Sequence, residues 1–144
     1  MKPFASLLFA VALTACAAAP QKPSVENDTL YRRLGGVAGV EAVVDASLRR
    51  IHGDLRINIF FENTDLADLR RLLIEQICAA TGGPCTYSGR SMEEAHSGMN
   101  LTDRDFDIFV EDLVAAMTEV KVSPALQQEV LGLFGPMRPQ VVGQ

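Results

Sequence analysis

Apolar residues recur every three or four positions along most of the chain beyond residue 28, which is the spacing of one face of an α-helix. The clearest such stripe consists of Phe106, Phe109, Val110, Leu113, Val114 and Met117. No segment of the sequence alternates apolar and polar residues between hairpin turns, so β-strands are disfavoured. The pattern therefore predicts an all-α fold.

Residues with capping preferences divide this helical part into segments. In chain order, the predicted helices cover 29–34, 38–52, 65–80, a single turn opened by Ser91, a helix opened by Thr102 and a last helix opened by Ser123. Thr64 is the expected N-cap of the third helix. Pro136 or Pro139 is expected to kink the last helix, because proline lacks the N–H that would continue it.

The first 28 residues are organised differently. Residues 1–15 combine Lys2, an apolar run and small residues, which is the layout of a secretory signal peptide. Leu13-Thr14-Ala15-Cys16 resembles the lipobox of bacterial lipoproteins, which implies cleavage before Cys16 and lipid attachment to it. An ordinary signal peptide cut near Ala18 or Ala19 is the alternative. Residues 16–28 contain two prolines and no apolar period, which predicts a flexible tether before a folded domain over 29–144.

These features predict an exported protein of the bacterial periplasm that is attached to the membrane only through a lipid anchor. The apolar run itself is too short to span a bilayer, which requires about 20 residues. In bacterial lipoproteins an Asp after the cysteine favours retention at the inner membrane, whereas Ala17 stands there in this chain. The outer membrane is therefore slightly preferred.

Composition narrows the function classes. The 144 residues carry 18 acidic and 13 basic side chains, and the resulting net charge of −5 disfavours nucleic acid as a partner. With Cys16 assigned to lipid, Cys78 and Cys85 either form a disulfide across a Gly-Gly-Pro turn or stay as one buried and one exposed thiol. These cysteines and two scattered histidines lack the spacing of a zinc site.

The candidate chemistry concentrates at one histidine. Ser91 and Glu94 form a capping box that opens a one-turn helix ending at His96. A neutral imidazole presented from such a helix over an apolar cleft suits the proximal ligand of a haem iron, with its other ring nitrogen donating to a backbone carbonyl near Met92. From spacing alone, a surface or satisfied core histidine is the alternative, and His52 is interpreted in that way.

Several segments, in order, resemble the group 1 truncated haemoglobins, which are small globins with a 2-on-2 helical sandwich. The matching segments are 30–36, Phe60-Phe61, Gly82-Gly83-Pro84 with Tyr87 and Gly89, 92–99 and 101–106. The spacing between them fits without large gaps. The resemblance implies a truncated globin domain over 29–144 that binds haem b (iron protoporphyrin IX).

The resemblance also implies roles for individual residues. His96 matches the proximal iron ligand of the family, and Phe61 matches the aromatic residue that wedges the haem ring. Tyr87, Met92 and Phe106 match positions that contact haem. Plain core packing is the alternative role for Phe61 and Phe106, and the two roles are compatible.

The distal side departs from the family pattern. Group 1 members usually carry a Tyr where this chain has Leu48, and often a Gln where it has Leu73. Leu69 is also expected to face the pocket, while the nearby polar residues Ser47 and Gln76 are interpreted as surface or helix-packing residues. The sequence therefore predicts an apolar distal pocket with an open sixth position on the iron, in which bound O₂ lacks a hydrogen-bond donor.

Three functional hypotheses follow. The leading one is a haem protein that binds a diatomic gas (O₂, NO or CO) and has an unidentified electron donor. The alternatives are a haem enzyme, either a nitric oxide dioxygenase or a weak peroxidase, and a non-haem structural domain of the envelope. The apolar distal pocket favours gas binding over an enzymatic role, because it offers no general acid or base.

Overall fold

The structure is a computed structural model that describes residues 28–144. The predicted signal peptide, the candidate lipid-bearing Cys16 and nearly all of the tether lie outside the described residues. The part that is described consists of helices, turns and loops and contains no strand, which confirms the all-α prediction.

The described residues 28–144 form seven α-helices and two short 3₁₀ turns. The α-helices are α1 (Leu30–Arg33), α2 (Gly36–Gly53), α3 (Leu66–Ala80), α4 (Met92–His96), α5 (Asp103–Glu119), α6 (Pro124–Phe134) and α7 (Arg138–Val141). The 3₁₀ turns are Asn58–Phe61 and Gly135–Met137. Within residues 28–144, no helix combines the length and the apolar character that crossing a membrane requires.

Most of the N-caps predicted from the sequence are confirmed. Capping boxes open α4 at Ser91 and α5 at Thr102, and the hydroxyl of Ser123 accepts from the backbone of α6. The predicted kink is also confirmed: α6 ends at Phe134, and the chain continues through the Pro136 turn into α7, which contains Pro139.

The predicted cap of the long helix is wrong by one residue. The carboxylate of Asp65 caps α3 by accepting from the backbone N–H groups of Ala67 and Asp68, at 2.9 and 3.1 Å. Thr64 belongs to the preceding turn, where its N–H donates to the Phe61 carbonyl. Both side chains suit an N-cap, and Asp65 takes the role because the chain turns into the helix one residue later than expected.

The core lies where α2 meets α3 and α5, with α6 closing the α5 side. Its most deeply buried side chains include Val40, Val44, Leu113, Met117 and Val130, of which Leu113 and Met117 belong to the predicted apolar stripe. A smaller cluster of Ile51, Ile57 and Ile108 fixes the end of α2 against α5. Between these clusters and α4 the helices leave a cavity, which is the candidate site.

A disulfide joins α3 to the loop that follows it. Cys78 is fully buried in α3 and is bonded to Cys85, with the two Cα atoms 5.7 Å apart. Gly83 lies between them, and a Cβ there would stand 2.6 Å from the Cys78 sulfur, so only glycine fits. Of the two alternatives that the sequence left open, the structure has the bonded pair.

We expect reduction of this bond to lower the free energy of unfolding by about 2 kcal/mol, because a cross-link over seven residues restricts the unfolded chain by roughly that amount. Denaturant unfolding with and without reductant measures the effect, in a protein carrying Cys16→Ser so that no third thiol interferes. The Cys85→Ser variant should have the same free energy of unfolding as the reduced protein, and added reductant should not change it. Equal stability of the oxidised and reduced forms would contradict the prediction.

Candidate functional site

A cavity of about 480 Å³ opens between α2, α3, α4 and α5 and extends to α7. All eight residues proposed from the sequence line it: Leu48, Phe61, Leu69, Leu73, Tyr87, Met92, His96 and Phe106. Phe106 is buried, and the other seven are partly buried. His52 does not line the cavity; it is exposed near the end of α2.

His96 contributes an oriented imidazole to the cavity wall. Its Nδ1 lies 2.7 Å from the Met92 carbonyl oxygen, one turn earlier in α4, as the sequence predicted. Because a carbonyl oxygen only accepts, Nδ1 carries the proton in the neutral ring, and Nε2 keeps its lone pair. The helix that holds the ring is short, but the Ser91–Glu94 capping box fixes its start. The result is one basic nitrogen available for a metal.

Aromatic side chains form two walls of the cavity. Phe61 comes from the 3₁₀ turn after α2, and Phe106 comes from the first turns of α5. The Arg138 guanidinium carbon lies 4.4 Å from the centre of the Phe106 ring, and Arg138 also bonds to Asp103 and Asp107. These contacts tie α7 to α5 and hold Phe106 in place.

Tyr87 adds an aromatic surface from the loop between α3 and α4. Its hydroxyl donates to the Arg90 carbonyl at 2.9 Å, and burial raises the pKa of the phenol. A Cβ at Gly89 would stand 2.2 Å from that hydroxyl, so the ring needs a glycine at that position. Tyr87 therefore faces the cavity as a ring whose hydroxyl is already bonded.

The same loop is tied to α3 by polar contacts as well as by the disulfide. The Glu75 carboxylate accepts from the backbone N–H and the hydroxyl of Ser88, at 3.0 and 2.6 Å. These hydrogen bonds, together with Arg71, hold the pKa of Glu75 below its usual range. The loop thus carries Tyr87 and Arg90 to the cavity in a fixed position.

The wall formed by α2 and α3 is apolar at the predicted distal positions Leu48, Leu69 and Leu73. The Ser47 hydroxyl donates to the Val43 carbonyl at 2.8 Å within α2, which agrees with its interpretation as a packing residue. Gln76 is not on the surface: it is partly buried and lines the cavity, with its amide against two methionine sulfurs.

The mouth of the cavity is polar, and sequence reasoning missed its main cation. Arg90 lines this rim, is exposed, and makes a 3.4 Å contact from Nη1 to the Glu94 carbonyl. Two acidic residues of the rim already interact within α3: Asp65 is its N-cap, and Asp68 forms an ion pair with Arg71. The sequence signal that could have identified Arg90 is its position as a basic residue directly before the Ser91 N-cap.

The chain is similar to known proteins over nearly the whole described domain. The model of the family described as "Bacterial-like globin" matches residues 29–142. A group 1 truncated haemoglobin of Tetrahymena pyriformis is 33% identical over 116 residues, which cover 81% of this chain and 96% of that protein. Group 1 truncated haemoglobin GlbN of Synechocystis sp. is 37% identical over 111 residues, which cover 74% and 90%.

Solved structures give the same result. The crystal structure of the Fe(III) form of truncated haemoglobin from Tetrahymena pyriformis matches with a TM-score of 0.78 at 32% identity, covering 81% of this chain and all of that one. The 2/2 haemoglobin of Synechococcus sp., in the cyanomet state and with covalently attached haem, matches with a TM-score of 0.76 at 35% identity, with the same coverage.

The fold is that of a globin. The chain belongs to the bacterial-like globin family and, within it, to the group 1 truncated haemoglobins. The 2-on-2 fold that the sequence predicted is confirmed.

Proposed function

We propose that this protein binds haem b through His96 and that the haem iron binds a diatomic gas. The observation that carries the proposal is the Nε2 lone pair of His96 on the wall of an apolar cavity of about 480 Å³. When bound, haem would supply an iron able to bind O₂, NO or CO. His96 would hold the iron, and the other residues of the cavity would set the shape and polarity of the pocket.

The remaining residues of the cavity suit an amphiphilic porphyrin. Phe61, Phe106 and Met92 offer apolar surface to the ring. Arg90 at the exposed rim suits a carboxylate of the porphyrin, because a guanidinium pairs with carboxylates in a planar fork. An apolar interior with a guanidinium at its rim therefore suits a flat apolar cofactor that bears acidic side chains.

The distal leucines favour gases that need no hydrogen bond. Leu48, Leu69 and Leu73 present no donor or acceptor to a ligand. O₂ gains stability from a distal donor, whereas CO and NO depend on one much less. A pocket of this kind therefore favours CO and NO and releases O₂ quickly.

One optical experiment tests the haem assignment. The purified protein, reduced with dithionite, should show an intense Soret band that shifts when CO is added. Recovery of a stable helical protein that takes up no haem would instead support a structural domain of the envelope. Rapid formation of nitrate on mixing the oxygenated protein with NO would favour the dioxygenase alternative.

We further propose that the protein is an exported lipoprotein, anchored at Cys16 in the periplasm with the outer membrane preferred. The lipobox-like Leu13–Cys16 segment supports this proposal. In a bacterium with an outer membrane, the protein should incorporate labelled fatty acid and fractionate with membranes, and Cys16→Ser should abolish both. Labelling that persists in the Cys16→Ser protein would contradict the anchor site.

A further inference from the structure

Gln76 places an amide on the cavity wall against weak acceptors. It projects from α3, one turn beyond Leu73, and its Nε2 lies 3.3 Å from the Met92 sulfur and 3.8 Å from the Met137 sulfur. A primary amide has two N–H donors, and thioether sulfurs accept hydrogen bonds only weakly. An amide partly buried beside two sulfurs loses water without gaining a strong partner, so its position calls for a role other than stability.

The first of these sulfurs belongs to the residue that orients His96. Met92 is the first residue of α4, and its carbonyl is the group that fixes Nδ1 of the imidazole at 2.7 Å. Helix α4 has only five residues, so a contact with any one of them bears on the whole turn. Gln76 thus links the distal helix to the proximal ligand through one side chain and one carbonyl.

The two sulfurs also account for the donors of the amide. With Met92 on one side and Met137 on the other, both N–H groups have an acceptor within reach. Gln76 is therefore not a spare donor for a gas ligand. Its amide instead connects α3 to α4 and to the turn after α6.

We infer that Gln76 is a positioning residue for the proximal ligand: its amide holds Met92, and Met92 in turn sets the orientation of the His96 ring. The inference rests on the proposed function, in which His96 binds the iron. It implies that a displacement of α3, which lies on the gas-binding side, changes the bond between His96 and the iron.

The test removes the donor without changing the volume. Gln76→Met keeps the length of the side chain and loses the amide, and Met92→Leu removes the acceptor. In the haem-loaded ferrous protein, each change should shift and broaden the resonance Raman band of the iron–histidine bond. Each should also speed haem loss to a scavenger by about twofold, the low end of what a hydrogen bond contributes, because a thioether sulfur is a weak acceptor. The double variant should show no more than the larger single effect.

A matched control separates positioning from general destabilisation. Gln127 is a buried glutamine whose Nε2 bonds to Thr118 and to the Val122 carbonyl, and it does not line the cavity. Gln127→Met should leave the Raman band and haem loss as in the wild type. A wild-type band in Gln76→Met, an additive double variant, or an equal shift in Gln127→Met would each overturn the inference. A haem-loaded wild type without any iron–histidine band would overturn the proposed function instead.

Discussion

His96→Gly should weaken haem binding by at least about 100-fold. Losing even an outer partner of a metal-bound histidine costs about 10–100-fold in metal affinity, and this change removes the ligand itself. Imidazole added to the variant should restore the spectrum, because the deleted side chain leaves room for a free ring over the same iron. Titration of the haem-free protein with haem, followed at the Soret band, measures the affinity.

His52→Gly is the matched control, since it removes the other histidine of the sequence from an exposed position near the end of α2. It should bind haem as tightly as the wild type. If His96→Gly also retains wild-type affinity and an unchanged spectrum, then His96 is not the proximal ligand, and the assignment of this cavity as a gas-binding haem site is lost.

Local signals were sufficient for most of the fold and for the contact that orients His96, whereas its role as iron ligand came from the family resemblance. Ser91 and Thr102 cap their helices through contacts only three residues apart, so the sequence alone locates the starts of α4 and α5. The carbonyl that orients His96 also lies one turn away in the same helix, which made that contact predictable. Features determined within a single turn of helix can be inferred without knowing the tertiary structure.

Features that depend on the orientation of a helix about its axis, or on the packing of a loop against a helix, could not be predicted from the sequence in this way. Gln76 differs from a surface glutamine only through the roll of α3 toward Met92 and Met137. Arg90 reaches the rim because the disulfide and the Glu75–Ser88 contacts bring its loop back onto α3. The cysteine pairing itself depends on the direction of two Cβ vectors, which spacing does not specify.

The leucine at position 48 gives the second large expected effect. Leu48→Tyr should slow O₂ dissociation by about 10–100-fold relative to Leu48→Phe, because the two variants differ by a single hydroxyl at a cavity-lining position that we expect to face the bound gas. A hydrogen bond to a group that carries charge is worth about 1.5–3 kcal/mol, which corresponds to that range of rates. Stopped-flow displacement of O₂ by excess CO measures the dissociation rate in each variant.

The comparison with CO shows whether the effect is polar or steric. CO gains little from a distal donor, so its dissociation rate should be nearly the same in Leu48→Tyr and Leu48→Phe. Equal O₂ dissociation from the two variants would mean that position 48 does not face the bound gas. If Leu48→Phe already slows the dissociation of both gases relative to the wild type, then the size of the side chain at position 48, and not its polarity, controls dissociation. In the expected case, the leucine is the reason that this globin binds O₂ loosely while retaining an open iron site for other diatomic gases.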